Sequence, residues 1–199
     1  LMRMKKIFTI IAMAAMVACG GANEKGITIS VNLDGMEEIA PGANVKVFVM
    51  GETEPAVEAT LDKNLSCELK TDIKGIEIAT LVVNEQPITG IYADGNDLTI
   101  TYNREEEDIN CDGSQFEADL EVAMEQFMEL YNAPESTDET LLTFIDEYVV
   151  ANHSNPVSLY LLQYYPMFGG DEARYAELVN MLDGDFKNLK LYKDAVKHV

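Results

Sequence analysis

The apolar residues of this chain change their spacing once, at Gly113. From Ile27 to Cys111 they alternate, in "ITISVNL", "NVKVFVM", "AVEATLD", "SCELKT", "IATLVVN" and "DLTITYN". Alternation puts one face of an extended strand against a core and leaves the other to water. Gly42, Gly51, Gly75, Gly90 and Asn96, with Pro41, Pro55 and Pro87, punctuate these runs, and Asn64 marks a turn. Short strands so punctuated predict an antiparallel sandwich or barrel over 27–112. No helical stripe interrupts them, which argues against parallel α/β units.

After Gly113 the spacing becomes helical. "FEADLEVAMEQFMELYN" sets Phe116, Leu120, Ala123, Met124, Phe127 and Leu130 along one face. Thr137 and Thr140 open a second amphipathic run, and Asn155 followed by Pro156 opens a third that Pro166 closes. A fourth runs from Asp171 to near Gly184, and "DFKNLKLYKDAVKHV" predicts a fifth with lysines in its last turns, where the helix dipole favours them. The expected class is α+β: an N-terminal antiparallel β-sandwich or barrel-like domain followed by an all-helical half over 113–199.

The first residues carry an address. Arg3, Lys5 and Lys6 precede an apolar stretch from Ile7 to Val17, and small residues lead into Cys19. This is the pattern of a secretory signal over 1–18, too short to span a membrane stably. Met16-Val17-Ala18-Cys19, followed by Gly20, resembles a bacterial lipobox with Met in place of the usual Leu. The resemblance implies that Cys19 becomes a lipidated N-terminus whose acyl chains anchor the protein to the membrane. Gly20 implies an outer-membrane destination. The tether over 19–26 lacks an acidic export cluster, which favours the periplasmic face.

Fourteen Lys and Arg stand against 35 Asp and Glu, a formal charge of −21. A surface of that sign repels nucleic acid and anionic headgroups and excludes both as partners; it suits cations or a basic protein. The chain is 47% hydrophobic, which argues against disorder. Cys67 and Cys111 lie on inward positions of predicted strands, and an oxidising compartment permits either a disulfide between them or two buried thiols. No C-x-x-C occurs, so nothing points to dithiol chemistry. His153 and His198 have no neighbouring His or Cys, which argues against zinc. Tyr160, Tyr164, Tyr165 and Phe168 recur at core spacing. There is no phosphate loop and no nucleophile elbow, so the reading leans away from an enzyme.

One stretch offers a nameable site. In "DINCDGSQFEAD", Asp108, Asn110, Asp112, Gly113 and Asp119 match the spacing of a calcium-binding EF-hand loop. Against it, the twelfth position is Asp rather than Glu, Gln115 replaces an apolar residue, Phe116 occupies a hydrating position, and the incoming segment reads as a strand. The same residues also form a strand end, a glycine turn at Gly113 and a helix capped by Ser114, with Glu117 three residues on. That second reading makes the stretch the joint between the two halves.

The order of parts resembles a known module. The lipobox, a small β-domain, Asp94-Gly95-Asn96-Asp97 before a strand, Gly113-Ser114 opening a helix and Asn155-Pro156-Val157-Ser158 opening a later one carry the resemblance. They resemble the domain of unknown function 4369, which fronts bacterial lipoprotein thiol-disulfide reductases of the TlpA and AhpC/TSA type. In those proteins a thioredoxin-like domain with its C-x-x-C follows the helices, whereas this sequence stops at Val199. The resemblance implies either a stand-alone front module or a truncated reductase, and a thioredoxin-like protein as a candidate partner. Its redox residues have no counterparts here. Three functions follow as expectations: a lipid-anchored, non-catalytic binding module of the cell envelope, an accessory of a thiol-disulfide system, and a calcium-stabilised module.

Overall fold

The computed structural model describes residues 25–197 and 199. The signal segment 1–18, Cys19 with most of the tether, and His198 lie outside the described residues. Among those described, eight strands precede five helices: β1 (Thr28–Asn32), β2 (Asn44–Val49), β3 (Val57–Thr60), β4 (Ser66–Lys70), β5 (Ile76–Val83), β6 (Gln86–Asp94), β7 (Leu98–Asn103), β8 (Asp108–Asp112), α1 (Gln115–Tyr131), α2 (Asp138–Ala151), α3 (Pro156–Leu162), α4 (Glu172–Met181) and α5 (Lys190–Val196). The fold is α+β with the strands first, as the change of period predicts.

The strands form two four-stranded sheets, ordered β4-β1-β7-β8 and β3-β2-β5-β6. Pairing is antiparallel except between β1 and β7, which run parallel in register Ile29 to Leu98. The inward positions of both sheets meet in one core that includes Ile29, Val31, Val45, Val47, Leu69, Leu81, Ile91 and Ile100. This is the sandwich expected from alternating residues.

The second sheet has a second buried face. Ala79, Leu81 and Val83 of β5 point into the sandwich, while Ile76, Ile78 and Tyr92 pack into the helical core with Phe116, Phe127, Ile145 and Leu161. Burial on both sides explains why "IEIATLVV" is almost continuously apolar. The molecule therefore has three layers, sheet, sheet and helices.

Two expectations need correction. Pro87 and Gly90 mark no break: both lie inside β6. Because β6 is an edge strand, Pro87 need not donate to a second neighbour. The pairing of β5 with β6 shifts register between Leu81 and Val82, beside Pro87. The last helix is also shorter than its pattern, beginning only at Lys190. Phe186 and Leu189 are fully or nearly buried, and the turns that insert them replace the expected helical start.

Candidate functional site

Gly113 turns the chain from β8 into α1 at φ +110, and a Cβ there would lie 2.3 Å from the Asp97 carbonyl oxygen. Ser114 then caps α1, its hydroxyl accepting from the Glu117 N–H at 3.3 Å and donating to the Tyr92 carbonyl. Asp94 accepts the Gln115 N–H at 2.7 Å and the Asn96 N–H at 3.1 Å, and Asp97 accepts the Thr28 N–H at 2.7 Å. The Asp94-Gly95-Asn96-Asp97 motif is thus a knot joining β1, β6 and α1. Glu117 does not complete a capping box. The Tyr92 backbone N–H of β6 favours the charged form of its carboxyl. The first turn of α1 covers an edge that would otherwise offer unpaired groups to another strand.

Two ionisable groups at this joint are strongly perturbed by their surroundings. Burial, opposed in part by the Tyr92 N–H and reinforced by Glu121, raises Glu117 to about 7. One Glu117 oxygen is buried without a hydrogen-bond partner. Burial, and then the negative charge of Glu117, pushes the Cys111 thiol up to about 12. Tyr92 packs edge-on against Phe116 and Tyr160 at centroid distances of 5.4 and 5.5 Å, its hydroxyl donating to that of Tyr160 at 3.3 Å. A thiol held so far above neutral pH is a poor nucleophile.

A recess lies at the far end of α1. Leu130, Ala133 and Phe144 floor a groove of about 410 Å³ between the end of α1 and the outer stripe of α2. Glu135, Glu139 and Glu147 rim it, with Thr140 and Thr143 between them. The capping box of Thr137 and Thr140 fixes the start of α2 and so one end of the groove. Among the described residues, none of the three glutamates forms an ion pair. Arg174 reaches α2, but it is committed to both oxygens of Asp146, at 2.6 and 2.8 Å, and to Glu177. The groove is apolar below and anionic above. It can hold an apolar side chain whose neighbours are positively charged.

The residues of the calcium reading do not converge. Asp108, Asn110 and Asp112 alternate along β8, in register with Asn103, Thr101 and Thr99, and residues two apart in a strand are separated by about 6.6 Å. Asp119 sits in α1, taking Gln115 Nε2 on one oxygen and Asn155 Nδ2 on the other, each at 2.7 Å. The strand reading of "DINCD" and the Ser114 cap account for these residues. No group of His, Cys, Asp and Glu arranged to hold a metal occurs among the described residues.

The cysteine pair does not meet either. Cys67 pairs with Val31, Val31 with Ile100, and Ile100 with Cys111, so the thiols lie on opposite edge strands of one sheet. Three strand spacings separate them by about 14 Å, far beyond disulfide reach, and both are free. Of the aromatic set, Tyr165 is buried, while Tyr160, Tyr164 and Phe168 pack against the helical core. His153 contacts Asp183 at 2.9 Å.

The groove was absent from the sequence reading, although one signal was there to find. Between Arg104 and Arg174 the chain contains no Lys or Arg, while Asp and Glu recur from Glu105 to Glu147. No known family's model matches the chain, and no curated relative is detectable from its sequence.

Proposed function

We propose that this chain is a lipid-anchored, non-catalytic binding module of the bacterial cell envelope, fixed to the outer membrane through Cys19 and engaging a partner at the α1–α2 groove. The lipobox-like run ending at Cys19 supports the anchor. The groove carries the binding role: about 410 Å³ of open, apolar-floored space falls within the range of ligand clefts. A place beside a thioredoxin-like reductase, the setting implied by the family resemblance, is a narrower form of this proposal. It would be a docking role, because Cys111 is held protonated and lies far from Cys67.

The test is made in a bacterium expressing the full chain. An alkyne-tagged fatty acid should label the protein, and Cys19→Ala should abolish the label. A photo-cross-linking residue at Thr143, inside the groove, should give a discrete adduct, whereas one at the exposed Ser30 of β1 should not. Absence of label would overturn the anchor. Absence of an adduct at Thr143 would overturn the binding role.

A further inference from the structure

The α1–α2 groove carries the inference furthest, since its rim specifies a charge and its shape a form. We infer that its occupant is a basic amphipathic segment of another protein, laid along α2 with an apolar side chain on Leu130 and Phe144 and Lys or Arg opposite Glu135, Glu139 and Glu147. This rests on the groove being the binding surface, as proposed above.

Three observations select that occupant. First, the negative charge of the rim has no ion-pair partner among the described residues. The stretch from Glu105 to Ala173 supplies no Lys or Arg. Second, α1 is built against its own electrostatics. Glu121, Glu125 and Glu129 follow one another at four-residue spacing, where like charges repel. Its last turn has no basic residue and includes Glu129, so the negative end of the helix dipole beside Leu130 is reinforced. Among the described residues no ion pair compensates this cost, and a cationic partner supplies the compensation. Third, the groove is elongated. Glu139, Thr143 and Glu147 stand at successive four-residue steps on α2, a span of about 12 Å. The rim residues are exposed, and the half-buried Leu130 and buried Phe144 lie beneath them. An open trough of this kind accepts an extended or helical segment through side chains at alternating turns.

The experiment uses a synthetic Lys–Leu peptide with helical spacing and a single Trp. The protein contains no Trp, so the peptide alone gives the emission signal. Saturable one-to-one binding that weakens as salt is raised is expected, with a Glu–Leu peptide of equal apolarity failing to bind. The triple variant Glu135→Gln, Glu139→Gln, Glu147→Gln should weaken binding about tenfold or more, as should Thr143→Phe, which fills the trough without altering charge or adding a Trp. The variant Glu105→Gln, Glu106→Gln, Glu107→Gln, in the β7–β8 turn, should stay within about twofold. If the turn variant weakens binding as much as the rim variant, or if Thr143→Phe has no effect, the attraction is general charge and the inference fails. The adduct formed from Thr143 in cells separates the two levels. An adduct whose formation the Lys–Leu peptide, added before irradiation, does not suppress overturns the basic segment and leaves the binding role standing, whereas no adduct overturns both.

Discussion

Asn155 donates its side-chain amide to Asp119 Oδ2 at 2.7 Å while its side-chain Oδ1 accepts the Val157 N–H at 2.9 Å. One half-turn therefore caps α3 and anchors it to α1, and Asn155 is 8% exposed. Asn155→Ala removes the cap, which is worth about 1 kcal/mol, and a charge-assisted bond worth about 1–2 kcal/mol. A loss near 2–3 kcal/mol is expected in urea denaturation. Asn155→Ser keeps the cap alone and should recover about half; full recovery in that variant would contradict the bond to Asp119, and equal losses in the two variants would contradict the cap.

Glu117 supplies a pH dependence with a definite sign. Its carboxyl is raised from 4.5 to about 7 in the folded chain, so the fold binds that proton more tightly than the unfolded chain does. Its contribution to stability is greatest below about pH 4.5, declines as pH rises through 7 and is flat above. The full swing is on the order of 2–3 kcal/mol. Glu117→Gln should remove it, making the variant the more stable protein at pH 8 but not at pH 4.5. Denaturation curves for both proteins at both pH values measure this, and a wild-type-to-variant difference that ignores pH would refute it.

Gly113 and Gly42 separate two costs of a side chain. Both have positive φ, but a Cβ at Gly42 meets nothing within 4 Å, whereas at Gly113 it meets the Asp97 carbonyl at 2.3 Å. Gly42→Ala should cost about 1 kcal/mol from backbone strain alone. Gly113→Ala should cost at least about 2 kcal/mol, with the excess arising from displacement of the Asp97 turn. Thermal midpoints of the two variants give the comparison.

The thiols should behave as isolated core groups. In a Cys19→Ser background, the protein is expected to migrate identically with and without reductant. Cys111 should react with maleimide far more slowly in the folded state than after denaturation, because its thiol titrates near 12. Fast labelling of Cys111 in the folded protein would show that the joint opens readily.

Calcium gives the last prediction. Since Asp108, Asn110 and Asp112 line a strand and Asp119 is held by two amides, about 5 mM calcium should leave the thermal midpoint unchanged. A bound ion would raise that midpoint in proportion to the logarithm of its concentration.

Much of this architecture was legible because local rules and tertiary packing agree. Ser114, Thr137, Asn155 and Asp171 each cap the helix expected of them. The misreadings occur where packing overrides local rules. Pro87 and Gly90 are tolerated in β6 because that strand has only one paired neighbour, and Phe186 is drawn into the core from a segment with a helical pattern. The EF-hand spacing counts positions, whereas a strand holds alternate residues such as Asp108, Asn110 and Asp112 apart. The groove escaped notice because no single element contains it: Leu130 belongs to α1, Phe144 to α2 and Glu135 to the link between them. Only the long interval without a basic residue hinted at it.

The shared middle sheet decides how the polypeptide can be divided. Ile76, Ile78 and Tyr92 are contributed by strands yet complete the core beneath the helices. Expressed alone, residues 113–199 would lack that apolar support, and residues 27–112 would expose the face it leaves. The glycine at which the sequence changes rhythm is therefore a poor place to cut, and the two halves should melt in a single transition.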